Sequence, residues 1–109
     1  MKNIKGKLVR DNIPTIIRQN NRKPITKILP KEKLQKALLE KFVEELSEFK
    51  QAKLKEKGEE LADLLQIILS LGKTIGLSEK RLMQICKQKR NERGAFEKRY
   101  LYFGDAKNN

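Results

Sequence analysis

Between Lys31 and about Lys55, apolar residues recur every three or four positions. Leu34, Leu38, Phe42, Leu46, Phe49 and Ala52 share one face at about 100° per residue, which predicts the longest helix of the chain. A second run from about Glu59 to Ile75 sets Leu61, Leu64, Leu65, Ile68, Leu71, Gly72 and Ile75 in a stripe, and Gly76 closes it. The break is expected at Lys57-Gly58, and so short a gap implies an antiparallel helical hairpin.

The flanks predict less regular structure. KLVRDNIPTIIRQNN reads as a short extended piece entering a helix, with Asp11 as its cap, Pro14 in its first turn and an end near Asn20 and Asn21. RKPITKILP, bracketed by Pro24 and Pro30, reads as an extended linker. Ser78 is placed to cap a third helix carrying Leu82, Ile85 and Cys86, which Arg93-Gly94 ends. AFEKRYLYF is amphipathic or extended, and Phe96 is expected to bury against a neighbouring helix or to stack on a base. The expected fold is all-α: a hairpin-based bundle with a four-helix-type core that dimerisation completes. Residues 1–103 are read as a single all-α domain, and 104–109 as a polar tail.

Composition narrows the chemistry. The chain has no His, which excludes Ser-His-Asp and Cys-His nucleophile systems, histidine bases and His-containing zinc sites. Hydrolytic chemistry is left to carboxylates, bound metal or lysine. The single Cys86 rules out an internal disulfide and is expected to be a small buried hydrophobe. No apolar h-region opens the chain and LLQIILSL is too short to span a bilayer, so neither a signal peptide nor a membrane helix is expected. A cytoplasmic protein is the default. The net charge of +12 invites an anionic partner, but the basic residues are mostly Lys and spread along the whole chain.

Against that background, 8 of the 14 acidic residues lie between Glu40 and Asp63. The fragments EELSE and EELAD put Glu45 with Glu48, and Glu60 with Asp63, at i,i+3 spacing, where side chains share a helix face. Glu45 falls in the middle of the apolar stripe, Glu48 at its edge, Glu60 inside the margin of its own stripe, and Asp63 beside it. Across an antiparallel seam all four can converge. Burying unpaired carboxylates costs several kcal/mol per ion by order of magnitude, so a helix needing only a core would carry Leu or Ala at position 45. Mg²⁺, which takes carboxylate, water and phosphate oxygens, removes the conflict, and four carboxylates offset about two such ions. Glu40, Glu44, Glu56 and Glu59 read as solvated charges or i,i+4 partners of lysines.

These motifs resemble a family. EELSE followed by EELAD is similar to the ExxE–spacer–ExxD signature of the MazG-like all-α nucleoside triphosphate pyrophosphohydrolases, a superfamily that includes phosphoribosyl-ATP pyrophosphohydrolase. KLVRDNIP at Lys7–Pro14 and KRNERGAFEKR at Lys89–Arg99 resemble the opening KLVRDKIP and the ERGGF ending of a small-protein branch, phosphoribosyl-ATP pyrophosphohydrolase-like. The likeness runs from about Lys7 to Arg99. Asn12, Thr15 and Ala95 depart from that branch, and the spacer from Phe49 to Glu59 is short. The departures bear on substrate rather than on metal ligands.

The resemblance implies that Glu45, Glu48, Glu60 and Asp63 hold Mg²⁺, with Mn²⁺ as a substitute. It also implies cleavage of a nucleoside triphosphate to the monophosphate and pyrophosphate. Glu45 and Glu48 are the carboxylates expected to orient or deprotonate the attacking water, with Glu45 first. Arg10, Lys89 and Arg93, in the motif-like flanks, are expected to bind substrate phosphates; Lys7 and Arg99 follow. Asp11 can also serve the site. A homodimer or tetramer is expected, with the site shared between chains. Nucleotide clean-up fits the branch better than a histidine-biosynthesis role. The alternatives are a basic nucleic-acid-binding helical module and a non-catalytic structural bundle.

Overall fold

The computed structural model describes residues 6–107. Four α-helices follow in order: α1 Ile13–Gln19, α2 Lys31–Gln51, α3 Lys57–Thr74 and α4 Glu79–Arg93, with a 3-10 turn at Leu54–Glu56 before α3. No strand occurs among the described residues, so the all-α expectation holds. The helices α2 and α3 form the hairpin and make the main contact of the fold. Its core is small: Leu38, Leu64 and Ile67 are the buried apolar side chains. Ile67 was not in the expected stripe, whereas Leu61, Leu65, Ile68 and Ile75 of that stripe are exposed. One chain therefore buries only part of its apolar surface.

The hairpin breaks earlier than Lys57-Gly58. Ala52 and Lys53 take extended backbone, with ψ of 150° and 152°. Gly58 lies in the first turn of α3, outside the interior where glycine weakens a helix. Lys57 is why the turn forms here. Its ammonium donates to the Phe49 carbonyl at 2.6 Å and lies 4.4 Å from the centre of the Phe49 ring. One side chain thus satisfies a last-turn carbonyl of α2 and packs on its final aromatic.

Two helix ends follow the expected chemistry. At Gly76, φ is +81°; its N–H donates to Lys73 and that of Leu77 to Gly72, the double bond that a left-handed glycine permits. The Ser78 hydroxyl accepts from the Arg81 N–H at 3.1 Å and starts α4. Between them, Gly72 lets α4 approach: a Cβ there would lie 3.3 Å from Leu82 Cδ2. The two helix axes diverge by 108°, so α4 touches α3 and no other helix.

Three expectations are corrected. Asn12, not Asp11, precedes α1, and its side chain makes no capping bond, because Pro14 already removes one of the donors a cap would satisfy. Cys86 is exposed, since α4 presents few side chains to a neighbour. Phe96 is exposed as well, on a segment that leaves α4 at Gly94 and forms no helix. The linker between α1 and α2 forms no helix or strand, with Ile25 and Ile28 almost wholly in solvent.

Candidate metal centre

The antiparallel seam brings Glu45 of α2 against Glu60 and Asp63 of α3. One carboxylate oxygen from each lies within 4.8 Å of the others. A second group on α2 joins Glu45 to Glu44 and Glu48 within the same limit, so Glu45 is common to both. The four expected carboxylates are thus gathered around Glu45, with Glu48 on its outer side rather than in the Glu60–Asp63 group.

Glu45 is only 6% exposed, although it is charged. Its Oε1 lies 3.2 Å from the Lys41 ammonium, one turn earlier on α2. Its Oε2 is buried and has no hydrogen-bond partner among the described residues, and Glu60 Oε2 is in the same condition. Such orphaned oxygens are costly unless something electropositive meets them. The donor set is all oxygen, which suits a hard divalent cation such as Mg²⁺. The residues present fit such an ion.

The local field agrees. The Glu48 carboxyl is held above its ordinary pKa, first by its closeness to the Glu45 carboxyl and then by the Glu45 charge. Glu60 is also raised, first by desolvation and then by Glu45 and Asp63. Glu44 moves the other way, because Lys7 donates to it at 3.1 Å and Lys41 lies near. Glu44 is therefore not a free solvated charge: Lys7 and Lys41 both reach it.

Arg10 enters from the segment before α1 and donates through Nη2 to Asp63 Oδ1 at 2.5 Å. It stands at the cluster, beside a carboxylate rather than free. Lys89 and Arg93 do not. Both lie on α4, which turns away from the hairpin, and neither pairs with a cluster carboxylate among the described residues. Sequence reasoning overlooked Lys41 and Lys57. The spacing of Lys41 and Glu45 at i,i+4 was a signal for the first; Lys57 carried none, since its role depends on where the turn falls.

The family model described as phosphoribosyl-ATP pyrophosphohydrolase matches residues 10–90. That is well over half of the chain, and the chain belongs to this family, within the MazG-like all-α superfamily. No curated protein and no solved structure matches it.

Proposed function

From membership of that family we propose that the protein hydrolyses a nucleoside triphosphate, or a related nucleotide, to the monophosphate and pyrophosphate. Mg²⁺ is the cofactor, Mn²⁺ can substitute, and the role is nucleotide-pool clean-up. The observation that carries this reading is the pair of buried, unpartnered oxygens on Glu45 and Glu60 beside Asp63. Glu45, Glu60 and Asp63 would hold the ion, with Glu48 adjoining. When bound, Mg²⁺ offsets phosphate charge and lowers the pKa of a water.

The chain's own residues divide the remaining work. Glu45 is tied through Oε1 to Lys41 and keeps Oε2 buried and unpartnered among the described residues, which favours binding over proton transfer. Glu48 is exposed and its carboxyl pKa is raised, so it is the better placed of the two to accept a proton from the attacking water. Arg10, once its guanidinium exchanges Asp63 for a phosphate, would neutralise charge on the leaving pyrophosphate. Lys89 and Arg93 can reach a site only on a second copy, which suits a homodimer or tetramer. The exposed Leu39, Val43, Leu61 and Leu65 on the hairpin support that assembly.

The test is pyrophosphate release from a panel of standard and modified nucleoside triphosphates plus phosphoribosyl-ATP. We expect turnover on at least one member in Mg²⁺. Glu60→Gln should lower kcat/KM by more than about 100-fold with helical content intact, because even the partners of metal ligands cost 10–100-fold. Silence across the whole panel, in Mg²⁺ and in Mn²⁺, overturns the reading.

A further inference from the structure

The helix α1 does not pack closely on any other helix. Instead, the segment from Leu8 to Ile16 roofs a cavity of about 830 Å³ above α2 and α3. Two ion pairs tether the roof, Lys7 to Glu44 and Arg10 to Asp63. Lys41, Glu45 and Asp63 bring the charged cluster into its lining, and Arg10, Asp11 and Asn12 add polar groups from the roof. Leu34, Leu38 and Ile67, with Ile13 and Ile16, supply aliphatic walls. Gln66 and Ser70 add an amide and a hydroxyl.

We propose that this cavity takes the nucleoside part of the substrate, its sugar and base, while the phosphates extend to Glu45, Glu60 and Asp63. Gln66 and Ser70 then read the edge of the base. The inference rests on the pyrophosphohydrolase reading for its substrate class, but the site itself stands on separate observations.

The first is continuity: the same space touches the carboxylates and the apolar floor, so one ligand can bridge them. The second is size and lining. Small-molecule sites run to about 300–1,000 Å³ and pair apolar walls with a few polar groups, as here. The third is register. Asp63, Gln66, Ile67 and Ser70 follow at helical spacing along one face of α3. Asp63 and Ser70 are about 10 Å apart along the axis at 1.5 Å per residue, the scale of a sugar with its base.

The chemistry of the lining sets what is recognised. Among the described residues no aromatic side chain lines the cavity, so the faces of the base meet aliphatic side chains rather than a stacking ring. Selectivity then falls to edge hydrogen bonds. Gln66 donates through Nε2 to Ser70 Oγ at 3.2 Å, which leaves its carbonyl oxygen to accept from a base N–H. A site built on such polar groups discriminates more sharply than an apolar slot, because the wrong base leaves them unpaired.

The full chain is titrated with AMP, GMP, CMP and UMP while isoleucine and leucine methyl signals are followed. Saturable binding of at least one, with shifts at Ile13, Ile16, Leu38 and Ile67, is expected. Ser70→Phe fills the cavity and Gln66→Ala removes the reader; both should weaken that binding at least about tenfold, with the Mg²⁺-induced rise in Tm unchanged. Gln66→Ala should also shift the ratio of kcat/KM between bases. No monophosphate bound, no response at those methyls, or wild-type binding by both variants overturns the site. Monophosphate binding in the cavity without any Mg²⁺-dependent pyrophosphate release supports the site and sinks the enzyme reading alone.

Discussion

Lys41 and Glu45 meet at 3.2 Å in a place where one of them is almost sealed from water. An ammonium there compensates a buried carboxylate, and it also competes with any divalent ion for the same charge. Removing one partner of a buried pair costs about 3–5 kcal/mol; Lys41 keeps some solvent contact, so the low end applies. Lys41→Met should therefore lower the Tm of the metal-free protein and enlarge the rise in Tm that Mg²⁺ produces. Differential scanning fluorimetry with and without Mg²⁺ reads both. An equal loss in both conditions would make Lys41 a merely structural residue. At this scale the sequence was most legible where a charge broke an apolar period: the wheel singled out Glu45, and it is the buried charge. Glu44 is a lysine partner as read, but its main partner Lys7 lies 37 residues away and no local pattern announces it.

Among the elements, the hairpin was legible in kind but not in its turn. Periodicity located α2 and α3, and the caps at Gly76 and Ser78 followed from residue type. The break moved because Gly58 falls in the first turn of α3, where glycine costs little, while Lys57 reaches back to Phe49, a contact that propensity does not contain. The docking of α4 hangs on Gly72, whose missing side chain admits Leu82. Gly72→Val should overpack that contact at about 1–3 kcal/mol and loosen α4, read as lower Tm and faster amide exchange over Glu79–Arg93. Glu60 and Asp63 lie about 18 Å and about 14 Å along α3 from Gly72, so Mg²⁺ binding should persist. If α4 stays as protected as before, Gly72 is not the pivot of its docking.

The molecule as a whole is elongated, with a radius of gyration of 19.2 Å and a longest extent of 71 Å. A compact chain of this length would have a radius of about 13 Å. Few buried side chains in so open a shape leave a single copy marginal. An apolar groove of about 460 Å³ between the hairpin and α4, lined by Leu39, Ile68, Ile75 and Leu82 among others, adds to the surface that awaits cover. We propose that a second copy supplies it. Wild type should sediment as a dimer or tetramer at micromolar concentration, and Val43→Glu with Leu65→Glu should shift it to monomer with lower Tm. A wild type that sediments as a stable monomer refutes the assembly. The sequence led to the expectation of a dimer or tetramer but not to the faces that form it: a helical wheel shows that a face is apolar, not which chain covers it.

The connector between Asn21 and Lys31 has a consequence of another kind. Most of its residues are exposed, and Pro24 and Pro30 limit its backbone freedom. The roof and the hairpin are therefore joined by a stretch that tolerates replacement and changes of length. Over generations, mutations in residues 8–30 can reshape what the cavity admits, while the carboxylates on α2 and α3 remain untouched. The apolar part of recognition can thus drift in the roof, while α3 keeps the base-reading Gln66 and Ser70 together with Glu60 and Asp63.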